Sequence, residues 1–151
     1  MEWDLRQVFD DLIRFETDLW NEIDARLRRD AEVPLGNLNV ILVVEGTENC
    51  RVNDIAAALS ITIGGASQAV DRLVKAGLCE RRPNPGDRRS SIVALTEQGR
   101  EVSAFAGEIF DQELAARLSG PLAAEQLGQL ATALTALRAA TPHRTDPAAR
   151  P

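Results

Sequence analysis

The chain has one histidine and two cysteines in 151 residues. A metal site assembled from clustered His, Cys or carboxylates is therefore not expected, because the one histidine, His143, stands alone near the C-terminus. No apolar run approaches the ~18 to 20 residues that span a bilayer. The opening MEWDLRQVFDD lacks the basic start and apolar middle of a signal peptide, so a cytoplasmic location is the default expectation, with no membrane contact. There is no glycine-rich phosphate loop, no nucleophile elbow and no acid–base pair with a spacing logic. Catalysis has no support in these residues, and no cofactor is expected. Positive charge is also short, with a formal net charge of -6.

That shortage is uneven. Between Arg51 and Arg100 there are eight Lys/Arg and five Asp/Glu, so this segment carries +3 and the remainder -9. A basic stretch on an acidic body still finds phosphate through its local field, while the acidic remainder weakens non-specific binding. The length suits one domain with a core of its own, needing no staples.

Within the basic segment, Asn53 is a good N-cap ahead of Asp54-Ile55-Ala56-Ala57-Ala58-Leu59, which places negative charge in a first helical turn. Ser60-Ile61 breaks that run. A second helix is expected from near Thr62 to Ala76, closed by Gly77 in the left-handed conformation. On a helical wheel Ile63, Ala66, Val70, Leu73 and Val74 share an apolar arc, with Gly64, Gln68, Asp71, Arg72 and Lys75 opposite. A helix, a short turn and a second amphipathic helix can place that second helix in a DNA major groove. Gln suits adenine edges, Arg and Lys suit guanine or the backbone, and Ser serves either. Gly64 and Gly65 lack a Cβ and permit close approach of another backbone. An ordinary helical hairpin with a solvated polar face has the same pattern.

Leu78-Cys79-Glu80-Arg81-Arg82 and Ser91-Ile92-Val93-Ala94-Leu95 read as strands, and Pro83-Asn84-Pro85-Gly86-Asp87 between them is dense in turn formers. The hairpin carries Arg81, Arg82, Arg88 and Arg89 on or beside its tip. Arginine enters narrow minor grooves and forks onto phosphate.

Asp87, Arg89, Leu95, Thr96 and Gly99 complete D-x-R-x-x-x-x-x-L-T-x-x-G, preceded by Val70-Asp71-Arg72-Leu73 and Lys75-Ala76-Gly77-Leu78. With these residues the chain resembles the MarR (multiple antibiotic resistance regulator) family of winged helix-turn-helix transcription factors, over nearly its whole length. The resemblance implies a mainly α fold with a small β-wing: a winged helix-turn-helix module at 38–96, flanked by N- and C-terminal dimerisation helices at 4–30 and 97–140. It implies a homodimer on double-stranded operator DNA. The DNA-binding candidates are Thr62, Gly64, Gly65, Ser67, Gln68, Arg72, Lys75, Arg88 and Arg89, with Asp87 shaping the wing. Many relatives are repressors released by small aromatic or phenolic acids. For such an anionic ligand Phe15, Trp20, Val40 and Val44 are candidate lining, with Arg14 or Arg26 as the carboxylate partner, although core packing is the better explanation of each of the apolar four.

Elsewhere, Leu5, Val8, Phe9, Leu12, Phe15, Leu19, Trp20, Ile23 and Leu27 recur at helical steps from Asp4 to Arg29, a helix longer than a small domain needs for itself. Residues 30–37 form a loop. Leu38 to Glu45 is β-branched enough to be a buried strand, and only the resemblance makes it a helix. Cys50-Arg51-Val52 is a candidate third strand. Thr96 caps a helix reaching about Leu118, with the stripe Phe105, Ile109, Phe110, Leu114 and Leu118, before Ser119-Gly120-Pro121. A last helix from about Ala123 to Ala139 carries Leu127, Leu130, Leu134 and Leu137, and the tail from Thr141 is expected to be disordered. Two other readings stay open. One is a winged-helix module that binds protein, consistent with the acidic total charge. The other is a thiol redox sensor using Cys50, whose pKa Arg51 would lower, or Cys79.

Overall fold

A computed structural model describes residues 2–141; the expected tail beyond Thr141, with His143, lies outside the described residues. Six α-helices and one β-hairpin follow one another in the order α1 (Leu5–Ala31), α2 (Leu35–Gly46), α3 (Val52–Leu59), α4 (Ile63–Lys75), β1 (Cys79–Pro83), β2 (Ser91–Leu95), α5 (Glu97–Leu114) and α6 (Ala124–Ala140). A π-helical turn, Ala115–Ser119, extends α5. This is the expected mainly α fold with a small wing.

The core forms around α2, which is apolar on nearly every side. Leu35, Leu38, Val40, Ile41 and Val44 are all buried, as a helix must be when it has no polar stripe to show solvent. Burial overrides the β-branched composition that made this segment look like a strand. The helix also begins a turn earlier than expected. Pro34 occupies its N-cap without a side-chain cap, and the Asp24 carboxylate of α1 accepts the Leu35 N–H at 2.8 Å instead. That carboxyl is held below its ordinary range: burial pushes it up, but the Leu35 N–H and Arg28 outweigh it.

Three local expectations need correction. Asn53 is not the N-cap of α3. The helix starts at Val52 after Arg51, whose N–H donates to the Asp54 carboxylate at 2.9 Å. The wing has two strands, not three; Val93 N–H donates to Cys50 O at 2.7 Å, but the chain then turns directly into α3. On α5 the buried row is Gly99, Ser103, Ala106, Ile109 and Glu113, of which the first three are small enough to let neighbouring elements approach; Ile109 of the expected stripe is buried, but Phe105 is 56% exposed.

The two outer helices reach past this core. Of the 27 residues of α1 only Ile23 and Leu27 are buried, and α6 buries none. Leu5, Val8, Phe9, Leu12 and Ile13 on one and Leu134 and Leu137 on the other stand exposed, as does Trp3 just ahead of α1.

Candidate nucleic-acid interface

The second helix of the helix-turn-helix is set by one cap and one buried face. Thr62 Oγ1 accepts the Gly65 N–H at 3.0 Å, and Ala66, Ala69, Val70 and Leu73 go into the core. At the far end Gly77 adopts φ +77°, a conformation that glycine takes without strain, and Leu78 N–H returns to Leu73 O at 2.9 Å. Gly64, Gln68, Asp71, Arg72 and Lys75 are consequently exposed together, with Gly65 and Ser67 half-buried at the margins. Ile63 and Val74, assigned to the apolar arc on the wheel, are instead 53% and 37% exposed. The core is already closed by the four buried residues, and the first turn of α4 projects beyond it.

The wing follows α4 with Cys79 paired to Leu95 and Pro83 to Ser91. Its tip is folded by side chains. Gly86 N–H donates to Asn84 Oδ1 at 3.0 Å, and Arg89 N–H donates to Asp87 Oδ1 at 2.9 Å. Ser90 Oγ donates to the other Asp87 oxygen at 3.4 Å. Asp87 thus holds the backbone of Arg89, not its guanidinium. Among the described residues Arg72, Lys75, Arg88 and Arg89 have no carboxylate within ion-pair reach, and all four are exposed. Such a set of unneutralised cations on one helix face and one hairpin can bind a row of phosphates.

The other two hairpin arginines are differently placed. Arg81 Nη2 lies 2.7 Å from Asp71 Oδ1, and its Nη1 donates to Ser91 Oγ at 3.3 Å, tying the wing to α4. Arg82 Nε donates to Glu80 at 2.7 Å. The Asp71–Arg81 tie was missed from sequence because the two lie ten positions apart and meet only once the hairpin folds back.

At the foot of the wing, Thr96 N–H donates to Leu78 O at 3.1 Å, Thr96 Oγ1 donates to Gly77 O at 2.6 Å and accepts the Gly99 N–H at 3.0 Å. A Cβ on Gly99 would overlap the Leu78 carbonyl oxygen and stand 3.0 Å from its carbon. The Leu-Thr-x-x-Gly end of the motif is therefore the joint between hairpin and α5.

The ligand candidates do not come together. Val40 and Val44 are core residues, 2% and 6% exposed, on the side of α2 packed into the domain, and so line no open cleft. Arg26 is engaged by Glu113 at 2.7 Å, Gln112 at 2.9 Å and Asp30 at 3.3 Å, so it is not a free partner for a carboxylate. Arg14 pairs with Asp10 on the exposed side of α1. Phe15 and Trp20 alone present apolar surface, 44% and 42% exposed. Glu113, unremarked in the sequence, is buried where α5 meets α1. The Arg26 hydrogen bond, joined by Arg117, holds its carboxyl below the ordinary range against burial.

Arg51 does not activate Cys50. Both cysteines are buried and free. Burial, then the charge of Asp54, raises Cys50, and burial, then neighbouring Cys50, pushes Cys79 up to about 11. Thiolate is disfavoured at both. Among the described residues no group of His, Cys, Asp and Glu could hold a metal ion, and no helix is long and apolar enough to cross a membrane.

Comparison with known proteins gives one pattern. A profile of the MarR family matches residues 33–90, from the start of α2 to the tip of the wing. The multiple antibiotic resistance protein MarR of Escherichia coli K12 is 32% identical over 77 residues, 51% of this chain and 54% of that protein; the chain thus spans about half the length of the curated relatives it matches. In fold, the chain is similar to Sco3205, a MarR family transcriptional regulator from Streptomyces coelicolor solved in complex with DNA, with a TM-score of 0.86 at 24% identity, covering 94% of each chain. It is also similar to CouR from Rhodococcus jostii RHA1 bound to p-coumaroyl-CoA, with a TM-score of 0.77 at 21% identity over 87% of this chain and 91% of that one.

Proposed function

The chain belongs to the MarR family, and from that premise we propose that it is a cytoplasmic, sequence-specific DNA-binding repressor that acts as a homodimer and has no catalytic role. The observation that carries the reading is the pairing of an exposed polar face on α4 with a wing whose Arg88 and Arg89 are free of carboxylates. Gln68 and Arg72 address base edges in the major groove, Thr62 and Ser67 base edges or phosphate, and Lys75 the backbone. Gly64 and Gly65 let the start of α4 approach the duplex. Arg88 enters the minor groove and Arg89 neutralises phosphate beside it.

Residues 38–96 are the DNA-binding module, and 4–30 with 97–140 the dimerisation region. The exposed apolar stripes of α1 and α6 support the dimer, since two chains related by a two-fold axis would bury them against each other. Such a dimer reads a pseudo-palindrome with half-site centres about 10 bp apart. The likeness to a protein solved with p-coumaroyl-CoA supports release by a small aromatic or phenolic anion, for which Phe15 and Trp20, half-exposed on α1, are the apolar candidates left by the packing of Val40 and Val44. It acts by favouring a dimer in which the two α4 helices no longer match successive grooves.

A module that binds protein instead is favoured by one observation: Asp71 and Glu80 neutralise two of the four hairpin arginines. In vitro selection from random duplexes, followed by sedimentation of the recovered complex, separates the two. The regulator reading expects an enriched inverted repeat one helical turn apart carrying two chains. If no sequence is enriched and a pulldown recovers a protein partner, the module reading replaces it. For the ligand, a panel of aromatic acids that neither shifts the melting temperature nor weakens DNA binding would remove that part of the proposal.

A further inference from the structure

Ile61 and Ile63 flank the capping Thr62 and both stand in solvent, 42% and 53% exposed. Nothing in folding accounts for them there. Ile63 is the first residue of α4, where a β-branched side chain contributes less to helix formation than most. The core below is closed by Ala66, Ala69, Val70 and Leu73, and Ile63 makes no part of it. The surface around the two isoleucines is bare: a Cβ on Gly64 would meet nothing within 4 Å, and residues 60–65 carry no charge. Thus the leading turn of the helix is uncharged, low and apolar, beside an α4 face and a wing that otherwise expose mostly charged and polar side chains.

The N-terminal residues of a recognition helix are those that meet base edges. In the major groove the one apolar group on those edges is the C5-methyl of thymine. A branched aliphatic side chain at the first helical position, next to a glycine that brings the backbone close, is built to cover such a methyl. We propose that Ile63, with Ile61 beside it, reads a thymine methyl in each half-site and so determines specificity at that base pair. The proposal rests on the DNA-binding reading above. The contact is apolar, so it adds affinity without adding a phosphate contact, and it is independent of salt, unlike those of Lys75 or Arg88.

The test uses the full-length protein and the sequence it enriches in selection. Each thymine of the half-site is replaced in turn by deoxyuridine, which removes the methyl and leaves every hydrogen-bonding group in place. Burial of one methyl-sized group corresponds to roughly 4-fold in affinity. The expected result is a loss of about that size at one thymine per half-site. The Ile63→Ala variant should lose a similar factor on the thymine duplex and be indifferent to deoxyuridine there, with its melting temperature no lower and its salt slope unchanged. The proposal is overturned if the wild type tolerates deoxyuridine at every position, or if Ile63→Ala remains as sensitive to it as the wild type. A selection that enriches no sequence overturns the DNA-binding reading, and this contact with it, and is thereby distinct from failure of the contact alone.

Discussion

Replacing Gly99 by alanine sets two effects of opposite sign against each other. Gly99 lies in the first turn of α5, where exchanging glycine for alanine favours the helix by up to about 1 kcal/mol. Against this, the new Cβ would overlap the Leu78 carbonyl oxygen and lie 3.0 Å from the carbonyl carbon. Both are backbone atoms, so no rotamer change relieves the clash. Overpacking of this kind costs about 1–3 kcal/mol. Moving α5 away stretches the Thr96 N–H to Leu78 O bond, 3.1 Å, and the Thr96 Oγ1 to Gly77 O bond, 2.6 Å, each worth roughly 0.5–1.5 kcal/mol. The net expectation is a loss of about 1–5 kcal/mol, or roughly 3–15 °C in melting temperature at about 3 °C per kcal/mol for a chain of this size. Urea unfolding followed by far-ultraviolet circular dichroism, at one fixed protein concentration, measures it. Gly64→Ala, with open space at its Cβ, is the control and should unfold at the same urea concentration or a higher one. A Gly99→Ala protein as stable as the wild type, or more so, would refute the account of the joint.

Other perturbations separate the contacts proposed on the interface. Gln68→Ala should relax preference at particular base pairs by roughly 1–3 kcal/mol, while Lys75→Ala weakens all sequences alike; competition between duplexes differing at single positions reads both, and an unchanged preference for Gln68→Ala would place the wrong face of α4 in the groove. Asp71→Asn removes the charge that holds Arg81 and frees it for phosphate, so non-specific affinity should rise and the slope of log K against log salt should steepen by about 0.9; an unchanged slope would mean that Arg81 stays out of reach of the duplex. Glu113 and Asp24 have folded-state carboxyls below their ordinary range, so their contribution is present above the ordinary carboxylate pKa and is lost as pH falls through the depressed values. Urea midpoints should therefore fall below about pH 4, and less steeply in Glu113→Gln; a variant with the wild-type acid profile would exclude Glu113 as a source. Cys50 and Cys79, buried and with raised pKa, should react with a thiol reagent only on unfolding, and peroxide should leave DNA affinity unchanged.

The architecture was largely legible because caps, stops and turn formers mark its joints: Thr62 and Thr96 cap α4 and α5, and Gly77 closes α4 with the expected positive φ. Periodicity was less informative where burial decides. The run from Leu38 to Val44 is apolar but for Asn39, so a count of apolar spacings fits a strand or a helix equally, and only its position amid the other elements resolves it. The same limit misplaced Ile63 and Phe105, because a wheel shows which residues share a face but not where the core ends along the helix. The exposed cations of α4 and the wing tip could be read directly. Arg81 and Arg26 could not, since their partners Asp71 and Glu113 are distant in sequence, 87 positions away in the second case. Val40 and Val44 failed as cleft residues for the same reason that α2 forms: it is the helix around which the others pack.

The central claim is that α4 and the wing bind a particular DNA sequence. Fluorescence anisotropy of the intact protein on the DNA upstream of its own gene and on scrambled DNA, each titrated with salt, tests it most directly. The account predicts upstream binding at least ~10³-fold tighter, with log K falling against log salt at about 0.9 per phosphate contacted. Equal, weak and salt-insensitive binding to both duplexes, from a protein that also enriches no sequence in selection, would contradict it.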